Sequence, residues 1–154
     1  MDYISASLSF GIVRRRIQAM VVEASSDLGL TYAEFSLMLL LYDREGCSQD
    51  DMTNLLHVDK AAITRVIKKL EERGFLFRRH DDQDRRMKRL YVTDLGRSKE
   101  QTIKNIVRRI MDYMTEDLSQ QERDLMIRCL HGFAKKIGDD DYRILFGIRG
   151  GVRQ

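Results

Sequence analysis

Val58-Asp59-Lys60-Ala61-Ala62-Ile63-Thr64-Arg65-Val66-Ile67-Lys68-Lys69-Leu70-Glu71-Glu72-Arg73-Gly74 is the stretch on which the fold turns. Ile63, Val66, Ile67 and Leu70 recur at three- and four-residue spacing, so they make one apolar stripe of a helix. Asp59 can cap its start and Gly74 can end it. The opposite face carries Lys60, Ala61, Thr64, Arg65, Lys68 and Lys69, which is small near the axis and basic at its reach. A helix that enters a DNA major groove needs such a face, because its side chains must meet phosphates and base edges without bulk in the way.

The residues on either side agree with that reading. Upstream, Ser48 can cap a short helix with apolar positions Met52, Leu55 and Leu56, joined to the basic helix by a tight turn. The opening of that helix offers Ser48 and Gln49 as phosphate contacts, since helix N-termini present free amides and a positive dipole end. Downstream, Phe75-Leu76-Phe77 and Leu90-Tyr91-Val92 are β-prone runs around a highly charged connection and read as a hairpin, the wing. Arg85, Arg86, Lys88 and Arg89 lie at or near its tip, where arginine suits the negative potential of a narrow minor groove. Asp82 and Asp84 are expected to pair with neighbouring guanidinium groups, Arg65 or Arg86, and so orient the arginines.

Further out the pattern is helical. Proline is absent from the 154 residues, which removes the commonest helix breaker. Ile4, Leu8, Ile12, Val13, Ile17, Met20, Val21, Ala24 and Leu28 trace a long first helix ending near Gly29. Thr31 and Glu34 form a capping box that opens a second helix, apolar round most of its girth and therefore central to the core. Thr93 begins a fifth helix whose stripe of Ile103, Ile106, Val107, Ile110 and Met114 calls for a partner. Ser119 and Glu122 form a second capping box, opening a sixth helix with Met126, Cys129, Leu130, Phe133 and Ile137 inward.

Composition sets the class. The chain is 43% hydrophobic and 33% charged, as soluble globular proteins are. Its longest apolar run is far below the ~20 residues of a membrane span, and its N-terminus lacks signal-peptide features, so a cytoplasmic protein with no membrane partner is expected. Net charge is only +3, yet residues 59–97 hold twelve Lys/Arg against seven Asp/Glu, a local +5 that leaves −2 for the remainder. Basicity concentrated in one segment is the footprint of a polyanion partner.

Leu30-Thr31-Tyr32-Ala33-Glu34-Phe35, the basic helix, Asp82-Gln83-Asp84-Arg85-Arg86 and Leu90-Tyr91-Val92-Thr93-Asp94-Leu95-Gly96 stand in the order and spacing of the MarR family of bacterial regulators, and Leu30 to Gly96 resembles that family. The flanking helices extend the similarity to about residue 137. The resemblance implies a mainly α fold: a winged helix-turn-helix with a two-stranded β wing and long N- and C-terminal dimerisation helices. It implies one domain over 1–138, with 30–97 binding DNA and 1–29 and 98–138 dimerising, followed by a tail, 139–154, with no clear period. It also implies a homodimer on a palindromic operator, with half-site centres about 10 bp apart. Members of the family commonly act as repressors and release DNA when a small phenolic or lipophilic compound, a metal ion or an oxidant arrives.

Among these inducers, the oxidant-sensing type places a cysteine near the start of the first helix, where this chain has none. His57, His80 and His131 are scattered over three elements, so no metal site and no cofactor is expected. Cys129 on its stripe reads as a small buried hydrophobe, and Cys47 in a turn reads as exposed. Enzyme signatures such as a phosphate loop, GxGxxG, HExxH or GxSxG are missing, which argues against catalysis. The alternatives are a winged module for protein contact, which has no use for a basic hairpin tip, and a redox-responsive regulator acting through Cys47.

Overall fold

Side-chain caps decide where the helices begin. In the computed structural model, which describes residues 2–138, the order is α1 (Tyr3–Ala24), a short 3-10 turn (Ser26–Leu28), α2 (Tyr32–Asp43), α3 (Gln49–Leu56), α4 (Lys60–Glu72), β1 (Leu76–His80), β2 (Lys88–Val92), α5 (Asp94–Met114) and α6 (Gln120–Gly138). Thr31 and Glu34 make the expected capping box on α2. Ser48 and Asp51 make another on α3, and Asp59 accepts from the Ala62 amide at the start of α4. Ser119 accepts from the Glu122 amide while the Glu122 carboxylate accepts from the Ser119 amide, opening α6. Each such cap stabilises its helix by about 1 kcal/mol. The α-helical part of α1 stops earlier than its apolar stripe, because the buried Ser25 hydroxyl donates to the Val21 carbonyl at 2.7 Å and the chain tightens into the 3-10 turn before Gly29.

Two compact units make up the chain, Met1–Asp112 and Tyr113–Gln154. The core of the first is built round α2, whose Phe35, Leu37, Met38 and Leu41 are almost wholly buried. Met52, Ile63, Ile67, Leu70, Leu76 and Leu90 bring α3, α4 and the hairpin onto it. The stripe of α5 is covered by its own chain: Ile103, Ile106 and Ile110 belong to this same core. The stripe expected to call for a partner thus finds one within the chain for these three residues, while Met114 is exposed.

Two devices lock the hairpin and α4 to the rest of this unit. Gly96 lies so close to the strand that a Cβ there would fall 2.1 Å from the Phe75 carbonyl oxygen, so only glycine fits. The buried Tyr42 hydroxyl donates to the Gly96 carbonyl at 2.7 Å, and burial chiefly pushes its pKa up to about 12. At the end of α4, Arg73 donates to the Leu28 and Gly29 carbonyls at 2.7 and 2.9 Å and faces the buried carboxylate of Glu34. α4 is thereby tied to the connection between α1 and α2.

In the second unit, α6 does not bury its stripe. Leu130, Phe133 and Ile137 are exposed, Met126 is half-buried and Cys129 is exposed, which corrects the inward assignment. Cys47 is corrected in the opposite sense, being half-buried. The tail 139–154 lies outside the described residues. Among the described residues no helix is long and apolar enough to cross a membrane.

Candidate nucleic-acid interface

α3 and α4 meet at a tight corner. His57 ends α3 in the left-handed region (φ 49°), and Asp59 starts α4 two residues later. Because Ile63, Ile67 and Leu70 face the core, Lys60, Ala61, Thr64, Arg65, Lys68 and Lys69 are exposed together on the other side. Their partners differ. Lys60 pairs with Asp50 at 2.9 Å and Lys68 with Glu72 at 3.7 Å, whereas Arg65 and Lys69 have no ionic partner among the described residues. Exposed pairs of this kind are worth only ~0.2–1 kcal/mol, so a phosphate can compete for either lysine. The Thr64 hydroxyl donates to the Lys60 carbonyl at 2.6 Å, and Gln49 Nε2 donates to Thr64 Oγ1 at 2.8 Å.

Ser48 has another role than the one expected of it. It is buried, its hydroxyl and its amide both donate to Asp51 Oδ2 at 2.8 Å, and Asp50 and Asp51 occupy the first turn that a phosphate would approach. These carboxylates favour the helix dipole but repel an anion. The expected phosphate contact at Ser48 is therefore replaced by an internal cap.

The wing is an antiparallel hairpin in which His80 faces Lys88 and Phe77 faces Tyr91. Asp81 organises its turn: Oδ1 accepts from the Gln83 and Asp84 amides at 2.8 and 3.0 Å, and Oδ2 pairs with Arg89. The Arg89 guanidinium beside it, then the Asp84 and Gln83 amides, hold the Asp81 carboxyl at about pKa 2. The orienting roles expected of Asp82 and Asp84 are thus corrected. Asp84 accepts from the Arg86 backbone amide at 2.9 Å instead of a guanidinium, and Asp82 is exposed without an ionic partner among the described residues. Asp81 was missed because three aspartates crowd 81–84. The register is the signal that singles it out, since Asp81 is diagonal to Arg89 across the strands.

Arg89 also differs from the expectation of a tip contact. Besides Asp81, beside the turn, it donates to the Gly46 carbonyl at 2.9 Å in the segment before α3, which attaches the wing to the body and serves as its root. There the Gly46 amide donates to the Leu90 carbonyl, the Leu90 amide donates to the Cys47 carbonyl, and Ser48 bridges to Arg89. The segment before α3 therefore acts as a short third strand, joining the wing to the helix pair. Arg85, Arg86 and Lys88 are exposed, and their side chains have no ionic partner among the described residues.

Cys47 lies in this root segment. Burial chiefly, and then Asp51, push its thiol pKa up, which leaves less of the reactive thiolate. Among the described residues no cluster of His, Cys, Asp and Glu could hold a metal ion. An apolar cavity of about 140 Å³ opens between α1, α2 and α5, with Ile17, Tyr32, Phe35 and Met111 in its wall.

Residues 30–88 match the MarR family. The HTH-type transcriptional regulator YdgJ of Bacillus subtilis (strain 168) is 34% identical over 102 residues, which are 66% of this chain and 62% of that relative. The repressor CouR bound to a 23-mer DNA duplex shares 28% identity and a TM-score of 0.75, covering 87% of this chain and 96% of CouR. A MarR family regulator from Listeria monocytogenes complexed with 26mer DNA has the same fold, with a TM-score of 0.84 at 18% identity over 93% of this chain and 95% of that one.

Proposed function

Since the chain carries a MarR family domain over residues 30–88, we propose that it is a sequence-specific, double-stranded DNA-binding transcriptional regulator, acting as a ligand-responsive homodimeric repressor on a palindromic operator. The observation that carries this reading is the set of cations left without ionic partners among the described residues on two successive elements: Arg65 and Lys69 on the outer face of α4, and Arg85, Arg86 and Lys88 on the wing. α4 suits a major groove and the arginine tip suits the minor groove beside it. Lys60 and Lys68 join once phosphates displace their weak surface partners. Arg89 supports the wing from its root. CouR, a repressor of this fold, is bound to a DNA duplex in its own structure. The test is titration of the purified protein with duplexes from the region upstream of its own gene, followed by footprinting. A protected site with two-fold symmetry is expected, and failure to retard any such fragment in dilute buffer overturns the reading.

Dimerisation is supported by apolar side chains that the single chain leaves in water. On α1 these are Ile4, Leu8 and Ile12, and on α6 Leu130 and Ile137. Exposed apolar stripes of this size mark interaction surfaces, and a second copy would cover the same stripes on both chains. Leu130→Glu with Ile137→Glu should turn a dimer into a monomer in light scattering. For the effector, the cavity walled by Tyr32 and Phe35 suits a small aromatic or lipophilic molecule. Such a ligand should raise the thermal midpoint in a screen of small aromatic acids. The redox alternative loses support from the half-buried, high-pKa thiol of Cys47.

A further inference from the structure

We infer that Gln49 reads a base edge, with Thr64 as the residue that positions its amide; this rests on the reading that α4 enters the major groove. The hydrogen bonds dictate which way the amide points. Thr64 has one hydroxyl proton, and it is committed to the Lys60 carbonyl at 2.6 Å. Thr64 Oγ1 can then only accept, so the Gln49 nitrogen faces it at 2.8 Å. Gln49 Oε1 and the second amide N–H remain, one acceptor beside one donor, at the exposed seam between α3 and α4. That pair complements the N6 amino group and N7 of adenine in the major groove, the bidentate pairing that glutamine makes.

The surroundings favour a base over a phosphate. Asp50 and Asp51 follow directly in the first turn of α3, and Asp50 is held on the same seam by Lys60 at 2.9 Å. Carboxylates there repel a phosphate oxygen, as does the outward carbonyl of Gln49 itself. A neutral base edge carries no such penalty. The Gln49–Thr64 hydrogen bond itself ties the α3 start to the α4 face, so the amide is presented at a set position.

The experiment measures binding of the full chain to its footprinted operator and to a panel of duplexes, each with one base pair changed symmetrically in both half-sites. The wild type should lose on the order of tenfold in affinity when one particular A·T pair per half-site is replaced. Gln49→Ala and Thr64→Val should erase that preference while discrimination at other positions persists. Thr64→Ser, which keeps the hydroxyl, should retain it. Equal thermal midpoints for all four proteins exclude misfolding as the cause. A uniform loss across the panel would make Gln49 a phosphate contact, and an unchanged preference in Thr64→Val would remove the positioning role; either overturns the inference and leaves the DNA-binding reading intact. Absence of any sequence preference in the wild type would overturn both.

Discussion

The root and the tip of the wing carry the same residue type and put it to different uses. At the root, Arg89 is enclosed by Asp81 and the Gly46 carbonyl. At the tip, Arg85 and Arg86 stand in solvent, and only their backbones are engaged: the Arg85 carbonyl meets His80 Nδ1 at 2.7 Å and the Arg86 amide donates to Asp84. Four cations within five residues thus divide between internal support and exposure. What separates them is the backbone of the hairpin, which orders the tip without consuming its charges.

The root should be the part that fails structurally. Gly96→Ala would drive a Cβ into the Phe75 carbonyl where α5 leaves the hairpin, and overpacking of this kind is expected to destabilise the fold by about 3 kcal/mol. Denaturant unfolding measures it, and an unchanged midpoint would show that the root yields more easily than its geometry says. The tip should fail functionally. Arg86→Ala is expected to weaken operator binding by about 2 kcal/mol, the range for one good contact, while the thermal midpoint stays put. A fall in both quantities would erase the distinction between tip and root. Arg85→Ala should act in the same direction and less, and equal losses would mean that both arginines enter the groove.

Acid offers the finest probe. Asp81 is held at about pKa 2, below the ordinary carboxylate value of about 3.9. Its contribution is therefore complete above the unfolded value and is lost as pH falls through about 2. Amide exchange of Gln83 and Asp84, which donate to Asp81, should quicken over that interval before helix amides respond. Simultaneous loss would indicate that the wing has no separate acid-labile anchor.

Much of this fold is legible in the residues because its signals are local. Thr31 with Glu34, Ser48, Asp59 and Ser119 with Glu122 each mark a helix start within one turn, and the α4 stripe separates core from solvent by periodicity alone. What stays hidden depends on partners distant in sequence. Periodicity shows that α5 and α6 each have an apolar face, yet the chain itself covers Ile103, Ile106 and Ile110 and leaves Leu130 and Ile137 in water. Likewise composition cannot rank Asp81, Asp82 and Asp84, because the choice is made by strand register. Ser48 illustrates the same limit: its cap is visible, but the bridge to Arg89 that buries it is not.

The central proposal is that cations on α4 and on the wing tip, without ionic partners among the described residues, face a DNA duplex together. The most direct measurement is the dependence of operator affinity on salt for the wild type and Arg86→Ala. Neutralising several phosphates releases counterions, so log affinity should fall steeply with log salt, and removing Arg86 should reduce that slope by about one. A flat dependence in the wild type, or a slope indifferent to Arg86, would contradict it.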